Sequence, residues 1–507
     1  MPNPKTARAR PVPRATNGWV RKCEVDDFLD RHLPVPTQIV SNEEFEPLPQ
    51  TVEQRRVERL LLETAEQHSR RLGMGRREFL RTSCGVAAAF AAMNTVFGRY
   101  FRVEAAELFE TDAAGSGPTY FVFDVQTHHV DPRRNAPAPD QEALDYLLGL
   151  RQVGGAWNPK LANREHTIEE LHRMNYIKEV FLDSETAVAV VSGLPQLTPD
   201  TYLITPDEMI KTRGWVNELT GSRRVVSHGT MSPELGARGL DAMRAQAEKL
   251  KIEAWKGYPG QPLGPKGQGW WLDDEKVAYP ALELSRKLGI RNICSHKGLP
   301  LPSFSAEHCH PKDIMKAALD FPDLNFLVYH SGFRGVDPEM AAAARSDFAK
   351  TAAVPWVSEL CDWKKKHPDV RNVYMEIGST FGLTVISFPS LCAHLLGMTI
   401  AAFGEDHVLW GTDSIWWGSP QWQIDAFKRL EMPEPLAKRF GYKPLTVETK
   451  RKILGLNAAR VYGVDPAAKV KPIPEDYIDR LRKTYKDSGL AARSNTQYGW
   501  VRAPSGA

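Results

Sequence analysis

Little in this chain favours a covalently stapled, membrane-spanning or nucleic-acid-binding protein. Its six cysteines (Cys23, Cys84, Cys294, Cys309, Cys361 and Cys392) are scattered over 507 residues and never form a CxxC pair. That argues against a disulfide framework and against a zinc knuckle. An excess of one charge is also missing. Lys and Arg number 65 against 62 Asp and Glu, a net +3 that gives no reason to expect nucleic acid or an anionic membrane as partner. No apolar run reaches the ~20 residues needed to span a bilayer, so no stable membrane anchor is expected. No internal repeat stands out. What is present, 42% hydrophobic and 25% charged residues, is the balance of a globular protein long enough for one large domain with extensions.

Residues 1–50 are rich in Pro and Arg and read as mostly irregular. Residues 51–72 have helical periodicity and i,i+4 charge pairs. Then come Arg76-Arg77-Glu-Phe-Leu80 and the weakly apolar run Cys84–Met93, a pattern that resembles a twin-arginine export signal. It implies the export machinery as partner and a periplasmic location. The other reading is an ordinary buried alanine-rich helix in a cytoplasmic protein.

From residue 120 strands and helices alternate. Strands are expected near 120–126, 186–191, 223–228, 251–256, 291–296, 325–330, 371–377 and 407–413. Helices are expected at 166–180, 238–250, 274–288 and 311–320 among others. Eight such units predict an α/β fold, a (β/α)8 TIM barrel with an irregular and helical N-terminal extension. The span exceeds the ~250 residues typical of that fold, which puts large insertions at 131–165 and 257–272. The chain divides into an extension with one helix (1–73), the twin-arginine-like segment (74–105), the barrel (106–465) and a basic, polar tail (466–507).

The chemistry collects where strands end, which is where such barrels carry it. The first strand runs into Gln126, His128 and His129. Alternation along a strand turns Gln126 and His128 the same way, into the barrel mouth, and His129 elsewhere. Three later apolar runs close on His296, His330 and Asp413. One strand-end histidine is commonplace, but four such ends in one barrel are hard to assign to chance. Two His and one Asp with an open position suit zinc, or else manganese or iron.

The set Asp124-Val-Gln-Thr-His128, Ser295-His296, Tyr329-His330-Ser-Gly and Trp410-Gly-Thr-Asp413 resembles the amidohydrolase superfamily. Within it, the amidohydrolase-related group that includes aminocarboxymuconate-semialdehyde decarboxylase is the nearest in pattern. Leu454–Gly463 is similar to that group's closing helix. The resemblance covers roughly 120–465. It implies His128 and His296 as metal ligands, His330 as acid/base or substrate-polarising group, and Asp413 as ligand and proton shuttle. Gln126 departs from the family, which carries His or Glu at that place, and a neutral amide oxygen is a weaker ligand.

Lys256, at the end of the fourth strand, is a candidate for a substrate carboxylate. Glu376 is a candidate for substrate contact or, equally, for a hydrogen-bond partner of a ligand histidine, and Arg334 and Trp416 are further candidates for substrate contact. The tryptophans Trp255, Trp270, Trp271, Trp416, Trp417 and Trp422 fall on or near strand ends, where they either line an aromatic pocket or pack the core. The first functional expectation is a metal-dependent hydrolase acting on a small, possibly aromatic, substrate. In it metal-bound water attacks a carbonyl-type carbon, with Asp413 as base. The alternatives are a non-oxidative decarboxylase of an aromatic or unsaturated acid, and a barrel that binds a ligand without turnover. The oligomeric state is open, with a homo-oligomer allowed.

Overall fold

The computed structural model describes residues 19–22, 24–25, 33–38, 40, 47–109, 118–130, 172–198, 201–263, 267–301, 304–335, 353–415, 419–466, 478, 481–484 and 500–502. The expected insertion at 131–165, and both Trp416 and Trp417, lie outside these residues.

The central sheet has eight strands: β1 (Val122–Thr127), β2 (Thr186–Val191), β3 (Val225–Met231), β4 (Ala254–Gly257), β5 (Asn292–His296), β6 (Asn325–Tyr329), β7 (Val373–Glu376) and β8 (Val408–Leu409). Neighbours follow chain order and every pair is parallel. A parallel bridge between Thr127 and Ser414 joins the first strand to the chain after the eighth. Trp410 O accepts from Val125 N at 3.0 Å, and Gln126 O from Asp413 N at 2.9 Å. These contacts close the sheet into the expected (β/α)8 barrel. The short β8 has a local cause: the chain beyond it turns to the left-handed backbone of Asp413, φ 60°.

Strands buried on both faces must read as near-continuous apolar runs, and β1, β3, β4 and β5 are buried at every position. Inside the barrel, Phe123, Val190, Val226, Cys294, Leu327 and Leu409 pack with Tyr462. Outside it, residues such as Val191, Trp255, Ile293 and Phe326 meet the helices. The helices start where side chains supply the missing acceptors. Helix Pro206–Thr220 has Thr205 as cap, its hydroxyl accepting from Glu208 N, and proline in its first turn. The helix expected over 274–288 begins only at Tyr279, because the Asp274 carboxylate binds the backbone N–H of Lys276 and Val277 in a turn.

Ahead of the barrel lie α1 (Val52–Arg71), α2 (Arg76–Leu80) and α3 (Ser83–Phe97). Thr51 and Gln54 form a capping box on α1. The twin-arginine-like stretch occupies α2 and α3, and most of its apolar residues are buried. Phe79, Cys84, Ala88 and Phe90 share one core cluster with Trp410, Phe427 and Leu454 of the barrel. At the elbow between the two helices, a Cβ on Gly85 would come within 2.6 Å of Phe79 O, so only glycine fits. Phe101 then makes an antiparallel bridge with Leu430, and Tyr100 O accepts from Glu431 N at 2.8 Å.

Within residues 1–50, expected to be mostly irregular, Trp19–Arg21 pairs antiparallel with Trp500–Arg502 of the tail. Because α1 to α3 close a core that the barrel shares, a chain beginning at residue 106 is expected to aggregate or to melt well below the full-length protein. Equal melting temperatures for the two chains would contradict this packing.

Candidate functional site

The closure of β1 against the end of β8 sets the site. Asp413 Oδ1 lies 2.9 Å from His128 Nε2 and accepts from Gln126 Nε2 at 2.9 Å. Its other oxygen accepts from Ser379 Oγ at 2.7 Å. From β6, His330 Nε2 stands 3.2 Å from His296 Nδ1 at the end of β5, and 3.5 Å from Gln126 Nε2. All of these side chains are buried. The four predicted strand ends therefore do come together, and His129 does turn away, to the Thr212 hydroxyl at 2.8 Å.

Local backbone makes this possible. His330, Ser331, Ser379 and Asp413 all have positive φ, between 51° and 61°. Such positions cost a non-glycine residue about 1–3 kcal/mol each and need a firm surround. Glu376 supplies much of it. Its carboxylate accepts from the backbone N–H of His330 at 2.9 Å and of Gly378 at 2.5 Å. Its own carbonyl accepts from Ser331 Oγ, and Thr380 Oγ1 donates to His330 O. Burial pushes the Glu376 carboxyl up to about 8, against the pull of those amides and of Lys256. Glu376, expected as a substrate contact or as a partner of a ligand histidine, thus holds the main chain of β6 and β7.

Each histidine of the cluster is fixed from behind. His128 Nδ1 lies 3.0 Å from Ser192 O, His296 Nε2 3.0 Å from Leu299 O, and His330 Nδ1 2.9 Å from Gly378 O. A carbonyl only accepts, so these nitrogens carry the hydrogens. The opposite nitrogens face inward. In neutral rings, His330 Nε2 and His296 Nδ1 then oppose one lone pair to another, and His128 Nε2 opposes its lone pair to Asp413. A proton or a cation has to stand between such atoms. Burial works against the proton: it drives His330 down to about 4 and His296 well below the usual imidazole range, with Lys256 adding to both. Burial alone would raise Asp413, but the hydrogen bond and charge of His128, with His330 and Ser379, hold it well below the carboxylate range.

This donor set fits a divalent cation. Imidazoles whose outer N–H is anchored to a carbonyl are the usual form of metal-binding histidine. His128, His296, Asp413 and the oxygen of Gln126 are the residues that would hold it. Gln126 Oε1 is buried and has no hydrogen-bond partner among the described residues. The amide NH2 of the same side chain, however, stands between the His128–Asp413 pair and the His296–His330 pair. Among the described residues, no three His, Cys, Asp or Glu side chains are grouped to hold a metal.

Lys256 sits deep in the barrel, its ammonium 3.7 Å from the centre of the Tyr329 ring and 5.0 Å from that of Tyr258. Tyr258 and Phe304 flank the His296 ring, with centroids 5.4 and 5.7 Å away. Neither was singled out from the sequence, although Tyr258 follows Lys256 by two residues. Ser379, next to Gly378 after β7, was also missed. Arg334 is exposed, whereas the cluster is buried. Trp255, Trp270 and Trp422 are core residues: the first two pack between strands and helices, the third beside α1 to α3. Trp271 lies near Lys297 and Lys312 and against His308, rather than in the cluster.

Residues 220–464 match the amidohydrolase family model. The match takes in β3 to β8 with His296, His330 and Asp413, and begins after Gln126 and His128. None of the curated proteins matches the chain. Among solved structures, the chain is similar to an uncharacterised TIM-barrel protein of Bordetella bronchiseptica, at 16% identity and a TM-score of 0.42 over 68% of this chain and 98% of that one. It is also similar to 5-carboxyvanillate decarboxylase of Sphingomonas paucimobilis, at 14% and 0.40 over 68% and 100%. A dihydroxybenzoic acid decarboxylase of Polaromonas, solved with manganese and 2-nitroresorcinol, aligns at 14% and 0.39 over 69% and 99%.

Replacing Glu376 by alanine is expected to orphan the N–H groups of His330 and Gly378, at about 1–3 kcal/mol for each. Denaturant unfolding measures this, and an unchanged midpoint would remove Glu376 from its assigned place.

Proposed function

We propose that the barrel is a lyase that removes carbon dioxide from a small planar carboxylic acid, aromatic or unsaturated. The observation that carries this reading is the state of Asp413. Hydrolysis asks that carboxylate to take a proton from water. Here Gln126 and Ser379 already donate to it, one to each oxygen, His128 Nε2 stands 2.9 Å from the same oxygen as Gln126, and its affinity for a proton is depressed. Such a group is a poor base but a strong acid whenever it does carry a proton, which suits donation to a weakly basic carbon.

The remaining groups fit a planar acid. Tyr258 and Phe304 flank His296 as apolar walls for a ring. The ammonium of Lys256 draws the carboxylate toward the cluster. His330, neutral and with Nε2 bare, accepts a proton from an adjoining hydroxyl of the substrate. A bound divalent ion, zinc or manganese, would supply positive charge for the carboxylate and its neighbouring oxygen. The carbon–carbon bond to the carboxylate breaks, carbon dioxide leaves, a proton taken up from solvent and passed through Asp413 takes its place on carbon, and His330 returns the hydroxyl's proton to its oxygen. Hydrolysis on the same scaffold is the second reading, favoured by the bare Nε2 of His330, which could serve as a base in place of Asp413.

The test is product analysis with hydroxylated benzoic acids, unsaturated acids, lactones and amides, after incubation of the protein with Mn²⁺ or Zn²⁺. Carbon dioxide release from an acid is the expected result. Turnover of a lactone or amide without carbon dioxide would favour hydrolysis instead. On the working acid, Asp413→Asn is expected to lower kcat about a hundredfold or more. Lys256→Met is expected to act mainly by raising KM, and an unchanged KM would remove Lys256 from substrate binding.

A further inference from the structure

We propose that Gln126 is a two-position group, a placeholder donor while the site is empty and an oxygen ligand once a cation enters. The proposal rests on reading the cluster as a cation site. In the structure the Gln126 NH2 does what a cation would do. It stands 2.9 Å from Asp413 Oδ1 and 3.5 Å from His330 Nε2, directing N–H groups at a carboxylate and toward an imidazole lone pair. The other end of the amide is the part left over. Gln126 Oε1 is buried without a hydrogen-bond partner among the described residues, an arrangement that is destabilising if nothing ever fills it.

Space around the amide supports a turn. A Cβ on Gly378 would lie 2.7 Å from Gln126 Oε1, and one on Gly411 would lie 3.2 Å from Gln126 Cβ. Gly378 thus keeps a side chain off the amide oxygen and Gly411 keeps one off the Gln126 Cβ, and both also make room for the Glu376 carboxylate. Its terminal torsion joins an sp³ to an sp² carbon, where the energy profile is broad and close to two-fold. Half a turn exchanges NH2 for oxygen and carries no change of charge. The empty cluster is then held together by a neutral donor, and the loaded one gains a neutral ligand. A glutamate in the same place would set a second carboxylate against Asp413 in the empty site, and would bind a cation more tightly. The chain has a cation site that is assembled before loading and binds its ion less tightly than a carboxylate would allow.

Full-length protein stripped by chelator is the material for the test, with Gln126→Glu and Gln126→Leu beside it. Melting temperature of the stripped proteins and calorimetric titration with Mn²⁺ and with Zn²⁺ are the two readouts. Both variants are expected to melt lower than the wild type when stripped. Gln126→Glu is expected to bind the ion about tenfold or more tightly, and Gln126→Leu about tenfold or more weakly. Opposite shifts in affinity from two variants that both lose stability are not what a merely structural amide gives. Equal affinities in all three proteins, or an unchanged melting temperature in either stripped variant, would overturn the proposal while leaving the cation site standing. Binding by none of the three would overturn the cation site itself. Should Gln126→Glu be recoverable only with Mn²⁺ present, Gln126→Leu decides alone, and its wild-type affinity would overturn the proposal.

Discussion

The site exists because the first strand of the barrel is clasped to the end of the eighth, 287 residues later. At the clasp is the buried carboxylate of Asp124. One of its oxygens accepts from the backbone N–H of Gln126 and of Thr412, each at 3.1 Å, and the other from the Thr412 hydroxyl. Burial pushes this carboxyl up to about 7 although three hydrogen bonds oppose the shift, a measure of how dry the seam is. With Asp413 N donating to Gln126 O just beyond, His128 and Asp413 have no separate positions to take. The same closure puts Thr127 beside Ser414.

From that clasp the electrostatics follow. Three imidazoles turn bare nitrogens inward, each held from behind by a main-chain carbonyl. One carboxylate faces them, and a buried ammonium lies close by. Desolvation opposes the easy remedy of protonating His296 and His330. What is left is a cluster of acceptors in need of positive charge, lined at its rim by Tyr258 and Phe304. An anionic, planar substrate and a divalent ion answer that need in different ways. The strained backbone at His330, Ser379 and Asp413 shows that the arrangement is maintained against local preference.

Much of this was legible in the residues, for physical reasons that can be named. Parallel barrel strands are apolar on both faces, so Val225-Val226, Ile293-Cys294 and Phe326-Leu327-Val328 stand out against their surroundings. Polar residues at their ends then mark the mouth. Residues that act through the backbone were not legible. Glu376 carried two readings, a substrate contact or a hydrogen-bond partner of a ligand histidine; its partners are the main-chain N–H groups of His330 and Gly378, which no side-chain pattern reveals. Trp255 and Trp270 were ambiguous because aromatic packing and aromatic lining draw on the same residues. The alanine-rich stretch after Arg77 carried two readings for a similar reason: weak hydrophobicity is common to export signals and to helices packed closely in a core. Its burial in α3 depends on a partner surface formed by Trp410 and Phe427, more than 300 residues away.

The account centres on one claim, that His128, His296, Asp413 and Gln126 surround a single cation position at the mouth of the barrel. Anomalous diffraction from crystals soaked in Mn²⁺ tests it most directly. The account expects one strong peak within coordinating distance of His128 Nε2, His296 Nδ1 and Asp413 Oδ1. Manganese bound elsewhere, with Gln126 Nε2 still seated between Asp413 and His330, would contradict it.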